Sequence, residues 1–150
     1  METLRELTTN QKGLVAETGI IHRAVKLGVG VARPLDDERY DLVLDYQGHL
    51  IRVQCKWARR SGEVVVVRCY SCRRTAEGLR RRVYTGSEID AIAAYCEELD
   101  SCYLIPAEMA SGKTQFHLRL ARSRNNQWNG VNWASDFEFG ARLGRLFPGP

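Results

Sequence analysis

The chain has 150 residues, of which 44% are hydrophobic and 27% are charged, and this composition indicates a globular protein and excludes a disordered or fibrous one. Its length suits a single domain over residues 1–150. No apolar run reaches the ~18 residues of a membrane-spanning helix. Residues 1–13 lack the apolar core of a signal peptide, so we expect a cytoplasmic protein with no membrane partner and with reduced cysteines.

The net charge of +4 is unevenly distributed along the chain. Residues 52–82 contain ten Lys and Arg but only two Glu, whereas the rest of the chain contains 12 basic and 16 acidic residues. A basic segment on a slightly acidic body predicts a polyanionic partner.

Hydrophobic periodicity predicts helices at both ends of a run of strands. The first helix is expected over residues 9–28, because Thr9 and Asn10 are good N-cap residues and Gly28 supplies a stop. A second, amphipathic helix is expected over residues 87–99, where acids occupy the first turn. The order α-β-β-β-α-β-β indicates the α/β class, with a mixed sheet flanked by helices. The remaining expected elements are strands at 29–33, 40–46, 49–57, 63–70, 102–106 and 115–121, a loop at 122–131 and a short helix at 133–143.

A two-residue turn at Gln47-Gly48 predicts a hairpin in which Asp41 faces Gln54. Because side chains alternate along a strand, Asp41, Gln54 and Lys56 then share one face, at the end of the hairpin away from the turn. The opposite face is apolar and is expected to lie in the core; its members are Tyr40, Leu42, Leu44, Tyr46, Ile51, Val53, Cys55 and Trp57.

Glu17 is the fourth candidate member of this polar cluster. It interrupts a helical stripe that is otherwise apolar or small, formed by Leu14, Ile21, Ala24 and Gly28. A carboxylate aimed at a core costs several kcal/mol unless it is paired or binds a metal. The simpler alternative is a structural salt bridge between Glu17 and Lys56.

This set of side chains suits phosphodiester hydrolysis. Oxygen ligands from Asp41, from the Gln54 amide and, as a further candidate, from Glu17 match the preference of Mg²⁺, for which Mn²⁺ is a possible substitute. Lys56 would orient or help deprotonate a metal-activated water. Asp36 and Asp37 are second choices for the acidic ligand, since they fall in a predicted turn.

Glu17 in the first helix, "RYD" ending at Asp41 and "QCK" from Gln54 to Lys56 together resemble the motifs of the PD-(D/E)XK nuclease superfamily. Its restriction-endonuclease-like core has the order α-β-β-β-α-β, which matches the predicted elements. Gln in place of the acid of the third motif, with the stretches "TTNQKGLVAE", "VQCKWA" and "RNNQWNGVNWA", is similar to group I intron-encoded homing endonucleases.

This resemblance implies a DNA endonuclease with Glu17, Asp41, Gln54 and Lys56 as catalytic residues. It also implies that the main-chain carbonyl of Cys55 faces the metal. Because one domain carries one site and a duplex has two strands, we expect at least a homodimer, and the resemblance extends this expectation to a homotetramer. Two residues depart from the pattern: Tyr40 stands in place of Pro, and Gln54 brings no negative charge to the metal site.

Two polar-basic segments are candidates for double-stranded DNA binding. In the first segment, five arginines lie within residues 73–82, a density that suits phosphate contacts. The second segment contains Asn, Gln and Arg at residues 122–127, and these side chains can read base edges. The predicted DNA-binding residues are Arg59, Arg60, Arg73, Arg74, Arg80, Arg81, Arg82, Arg122, Arg124, Asn125, Asn126 and Gln127.

Three alternatives remain open at this stage. The same fold could serve as a non-catalytic DNA-binding domain if Gln54 abolishes turnover. It could also belong to another nuclease, such as a junction resolvase or a restriction or repair enzyme. Separately, a zinc site is conceivable from four cysteines, although their second pair has unusual spacing; these are Cys69, Cys72, Cys96 and Cys102.

Overall fold

The computed structural model describes residues 4–122 and 130–149. Its first helix, α1, spans Thr9–Lys26 and begins with a capping box in which the Thr8 side chain accepts the N–H of Gln11 and the Gln11 side chain accepts the N–H of Thr8. The helix predicted over residues 9–28 is therefore confirmed, although its N-cap is Thr8 instead of Thr9 or Asn10 and it ends at Lys26. Within the described residues, no helix is long and apolar enough to cross a bilayer.

A seven-stranded mixed sheet forms the centre of the fold. Five strands follow the order β1-β2-β3-β4-β9, and β3 also pairs in parallel with β7, whose other neighbour is β8. The strands of this sheet are β1 (Gly30–Ala32), β2 (Leu42–Tyr46), β3 (His49–Ser61), β4 (Val64–Arg68), β7 (Ala91–Cys96), β8 (Ser101–Pro106) and β9 (Gln115–Arg119).

Strands β5 (Tyr70–Thr75) and β6 (Gly78–Val83) form a separate two-stranded antiparallel ribbon. Every residue of β6 is exposed. Two further α-helices follow, α2 (Ala107–Ala110) and α3 (Phe139–Leu146), along with two short 3₁₀ helices, Glu97–Leu99 and Ala134–Phe137. The short helix predicted over residues 133–143 corresponds to the last 3₁₀ helix and α3, and most of the predicted loop at 122–131 lies outside the described residues.

The 13-residue strand β3 changes partners along its length, and this places the site. Ile51 and Val53 pack in a core cluster with residues of α1 and α3, whereas Ala58 packs in a second cluster with β4 and β9. Because Ile51 and Ala58 differ in parity along the strand, the two clusters lie on opposite faces of β3. Between them, residues 54–57 are all partly exposed. The polar side chains of Gln54 and Lys56 are therefore partly exposed, at the point of β3 that lies between the two core clusters.

The predicted hairpin register is confirmed by the pairs Leu42–Val53, Val43–Arg52 and Tyr46–His49. Most of its predicted apolar face also lies in one core cluster. Two members differ: Tyr40 packs against the cluster on the other face of the sheet, and Trp57 belongs to neither cluster.

The mixed α/β sheet with flanking helices is confirmed, but the helix predicted over residues 87–99 is wrong. Ala91–Cys96 is instead strand β7, hydrogen-bonded to strands on both sides and almost completely buried. A strand covered on both faces loses the polar alternation that identifies a half-buried strand, so its apolar run is easily mistaken for a helix.

Candidate functional site

Asp41 lies immediately before β2, and β3 holds it in place through two hydrogen bonds. Its N–H donates to the carbonyl oxygen of Val53 over 2.9 Å, and its Oδ2 accepts the N–H of Cys55, also over 2.9 Å. The β2–β3 ladder ends at Leu42–Val53, so the expected direct pairing of Asp41 with Gln54 is not part of it. Burial raises the pKa of Asp41, although the Cys55 N–H and the nearby Lys56 charge act in the opposite direction.

Lys56 is half-buried beside Asp41, between the sheet and the base of the ribbon. Its Nζ donates to the carbonyl oxygen of Tyr70 over 2.8 Å and lies 5.1 Å from the centre of the Tyr84 ring. Burial lowers the pKa of Lys56, and the Asp41 charge only partly offsets this effect. A desolvated lysine of this kind can exchange a proton near neutral pH more readily than a surface lysine.

Gln54 is half-buried, and its side chain makes no hydrogen bond to any residue that the structure describes. By strand parity it shares a face with Lys56. Its amide oxygen is therefore available to a ligand. The neighbouring Cys55 thiol is inert, because burial raises its pKa and the Asp41 and Glu17 charges raise it further.

Glu17 reaches the same region from α1, but its environment differs from the prediction. The buried stripe of the helix consists of Ala16, Ile20 and Ala24, while Leu14 is 58% exposed. Glu17 lies beside this stripe, and its Oε1 pairs with Nε of Arg33 at 3.0 Å. The alternative of a Glu17–Lys56 salt bridge is therefore wrong. Both Glu17 and Asp41 act electrostatically on the Cys55 thiol.

Sequence reasoning missed Arg39, which ties the ribbon to the site. Its guanidinium lies 4.2 Å from the Tyr84 ring centre and pairs with Glu88 at 2.8 Å. It also donates to Ser71 Oγ in β5 and to the Val83 carbonyl in β6. The only available signal was its position directly before the Tyr-Asp pair of the motif.

The arginines predicted to bind DNA fall in four places. Arg59 is exposed beside the site, whereas Arg60 is engaged by Glu63 and by the Gly62 carbonyl. The ribbon carries Arg80, Arg81 and Arg82 on exposed β6, and its β5 strand contains Arg73 and Arg74. Arg122 is exposed at the end of the described segment. The remaining predicted residues, Arg124, Asn125, Asn126 and Gln127, lie outside the described residues.

The ribbon arginines are not equivalent. Arg81 lies over the Tyr70 ring, with 4.7 Å between guanidinium and ring centre, and Arg82 pairs with Glu88 at 2.9 Å. In the ladder, Arg73 pairs with Arg80 and Arg74 with Leu79. The ladder thus aligns Arg73 with Arg80 on a narrow ribbon whose β6 strand is exposed.

The donor set at the site fits a hard divalent cation. Asp41 and Glu17 supply carboxylate oxygens near Cys55, and Gln54 supplies an amide oxygen that no described residue engages. Among the described residues, no three His, Cys, Asp or Glu side chains cluster as a metal cage would require. Mg²⁺ rarely uses such cages; it binds one or two carboxylates and completes its shell with water and substrate phosphates. The four cysteines considered for zinc form no cluster of this kind either.

Comparison with known proteins agrees with this geometry. Residues 7–140 match the PD-(D/E)XK endonuclease family. A solved structure, that of the bacterial homing endonuclease I-Ssp6803I, superposes with a TM-score of 0.74 at 29% sequence identity, covering 96% of this chain and 100% of the other. No curated protein shows significant sequence similarity. Since the family match spans nearly the whole chain and includes the helix, hairpin and strand that carry the site, this chain belongs to the PD-(D/E)XK endonuclease family.

Proposed function

We propose that this protein is a metal-dependent endonuclease that hydrolyses phosphodiester bonds of double-stranded DNA, in the manner of a homing endonuclease. The observation that carries the proposal is that Asp41 and the desolvated Lys56 lie beside the Gln54 amide, which bonds to no residue that the structure describes. The likeness to a bacterial homing endonuclease supports the substrate class. Such an enzyme would act in the cytoplasm on DNA of the nucleoid.

In this proposal Asp41, the Gln54 amide and the main-chain carbonyl of Cys55 hold Mg²⁺, or Mn²⁺ in its place, with Glu17 as a further ligand. The bound metal would acidify a water molecule and neutralise charge on the scissile phosphate. Glu17 pairs with Arg33 through Oε1 at 3.0 Å, so its second carboxylate oxygen would be the one offered to the metal.

Lys56 is proposed to orient the attacking water and to move its proton at Nζ. The Tyr70 carbonyl and the Tyr84 ring restrict the rotation of the ammonium group, and this restriction lowers the entropic cost of placing it. The half-buried position also strengthens each electrostatic contact, since less water screens it.

The DNA-binding surface is proposed to include Arg59 and the ribbon. A two-stranded ribbon has dimensions that enter a major groove, and exposed arginines on β6 supply phosphate contacts. Because one site cuts one strand, we propose a homodimer or homotetramer as the active assembly.

Site variants assayed on supercoiled plasmid test the proposal. Asp41→Asn and Lys56→Ala are expected to abolish cleavage, while DNA affinity stays within about tenfold. Gln54→Glu is expected to retain activity and bind Mg²⁺ more tightly, because one charge is added at unchanged geometry; Gln54→Ala is expected to lose most activity.

Metal titrations distinguish this function from its alternatives. Mg²⁺ or Mn²⁺ is added to each variant while plasmid nicking is followed. Identical traces that do not depend on metal would contradict an enzyme and favour a DNA-binding module. Strong preference for branched over linear DNA would instead indicate a junction resolvase.

A further inference from the structure

A second feature adjoins the site on the α1 side of the sheet. It is a cleft of about 530 Å³ between the first turns of α1 and strands β3 and β4. Four cations line it, namely Lys12, Lys56, Arg59 and Arg68, and no Asp or Glu is among its lining residues. Apart from Lys56 and Arg59, these side chains have no role in the site described above.

Strand geometry explains why these residues meet. Trp57 and Arg59 share a face of β3, and Val66, the partner of Arg59 in the ladder, shares that face with Arg68 on β4. On α1, Lys12 lies above this face, with its Nζ 5.8 Å from the centre of the Trp57 ring. Cys55 and Lys56 are also among its lining residues, so the cleft adjoins the proposed catalytic site.

Within the part of the chain that the structure describes, three of the four cleft cations lack a counter-charge. Among the described residues, no carboxylate pairs with Lys12, Arg59 or Arg68. By contrast, seven arginines elsewhere pair with Asp or Glu: Arg23, Arg33, Arg39, Arg52, Arg60, Arg82 and Arg145.

Positive charges around one cavity repel each other and raise the electrostatic energy of the empty cleft. A bound anion would lower this energy. The concave shape increases the effect, because the surrounding protein excludes part of the screening water.

We propose that this cleft binds the phosphate backbone of the cleaved DNA strand, on one side of the scissile phosphate. This inference rests on the proposed function. Cys55 and Lys56 line the cleft as well as the site, and Arg59 lies about 10 Å further along β3, so a strand whose scissile phosphate lies at the site would pass next into the cleft. The phosphates next to the cut would then contact Lys12, Arg59 and Arg68, while the ribbon contacts the duplex separately.

Binding measured in EDTA tests the cleft without requiring cleavage. The probes are a random-sequence 30-bp duplex and a single-stranded oligo(dT), each titrated at a series of salt concentrations. The double variant Lys12→Gln/Arg68→Gln is expected to bind both probes about tenfold more weakly, and its salt slope on duplex should fall by about 1.8 because each lost phosphate contact removes ~0.9.

Two matched variants complete the experiment. Lys26→Gln removes one positive charge from the far end of α1, outside the cleft, and should leave both slopes unchanged. The ribbon variant Arg80→Gln/Arg81→Gln should weaken duplex binding more than oligo(dT) binding, since a ribbon in a groove needs two strands. Thermal unfolding of each variant confirms that it is folded.

The proposal is overturned if the cleft double variant keeps the wild-type slope on both probes, or if Lys26→Gln lowers the duplex slope by the ~0.9 of one lost phosphate contact. Plasmid nicking by the wild-type protein would still establish the endonuclease in that case. Conversely, a lowered slope in a protein that never nicks plasmid would support the cleft and refute the proposed function.

Discussion

The buried carboxylate of Asp41 destabilises the metal-free protein, and Asp41→Asn should remove this cost. Burial raises the pKa of Asp41 more than the Cys55 N–H and Lys56 lower it, so at neutral pH the charged form is held in the fold unfavourably. Asn keeps the shape of the side chain and its oxygen can still accept the Cys55 N–H. We therefore expect the variant to be more stable by about 1 kcal/mol, a rise in Tm of ~2–4 °C for a chain of this size.

The size of the stabilisation by Asp41→Asn depends on pH in a defined way. Because the pKa of Asp41 is raised in the folded state, proton binding contributes stability that is fully present below the unfolded value of ~3.9 and is lost as pH rises through the folded value. The advantage of Asp41→Asn should thus be largest near pH 8 and disappear as pH falls towards ~4. Mg²⁺ should reverse the order, since a ligand at about 100 times its Kd stabilises the wild type by ~2.7 kcal/mol.

Thermal unfolding in EDTA across this pH range, followed by the same scans in Mg²⁺, measures both effects. Asp37→Asn is the matched control: it removes the same charge from an exposed carboxylate between β1 and β2, and should change stability by less than ~0.5 kcal/mol. If Asp41→Asn lowers Tm at every pH, the attraction to Lys56 outweighs burial and the reasoning is wrong.

Three further predictions concern positions around the site and in its scaffold. Tyr84→Leu should lower the plasmid-nicking turnover about tenfold by freeing Lys56, whereas Tyr84→Phe, which keeps the ring, should stay within about threefold; equal rates would refute a positioning role. Glu138 caps α3 through the Ala141 N–H and pairs with Arg23 at 2.7 Å, so Glu138→Ala should cost ~1–2 kcal/mol in thermal unfolding. Although burial alone raises the pKa of Glu138, these bonds lower it overall, and the loss should fade as pH falls below ~4. Within α1, Gly13→Ala should raise stability by ~1 kcal/mol because its Cβ meets open space, while Gly19→Ala should lower it because its Cβ would lie 2.9 Å from Tyr95; a stability change of the same sign in both variants would contradict this.

Local patterns in the sequence determined much of the site. A two-residue turn imposes the hairpin register, and the alternation of strand side chains then places Gln54 and Lys56 on one face near Asp41. The helix boundaries likewise follow from capping residues next to an apolar repeat. These features could be predicted because each depends on residues close together in the chain.

The orientation of α1 could not be read in the same way. Two apolar stripes lie next to each other on this helix, and the periodicity of the sequence is compatible with burial of either. One contains Leu14 and Ile21; the other consists of Ala16, Ile20 and Ala24. Packing against β3 and β7 selects the second stripe, which leaves Glu17 at the edge and Leu14 exposed.

Only the tertiary structure decided that residues 91–96 form a central strand and that Arg39, Tyr70 and Tyr84 surround Lys56. An apolar run is compatible with either a buried helix or a buried strand. Residues 91–96 form a strand because β3 provides backbone hydrogen-bond partners for them. The contacts around Lys56 join residues from 14 to 28 positions away. Sequence periodicity specifies which way a side chain points within its own strand, but which distant residues it meets is set when the strands and the ribbon pack together.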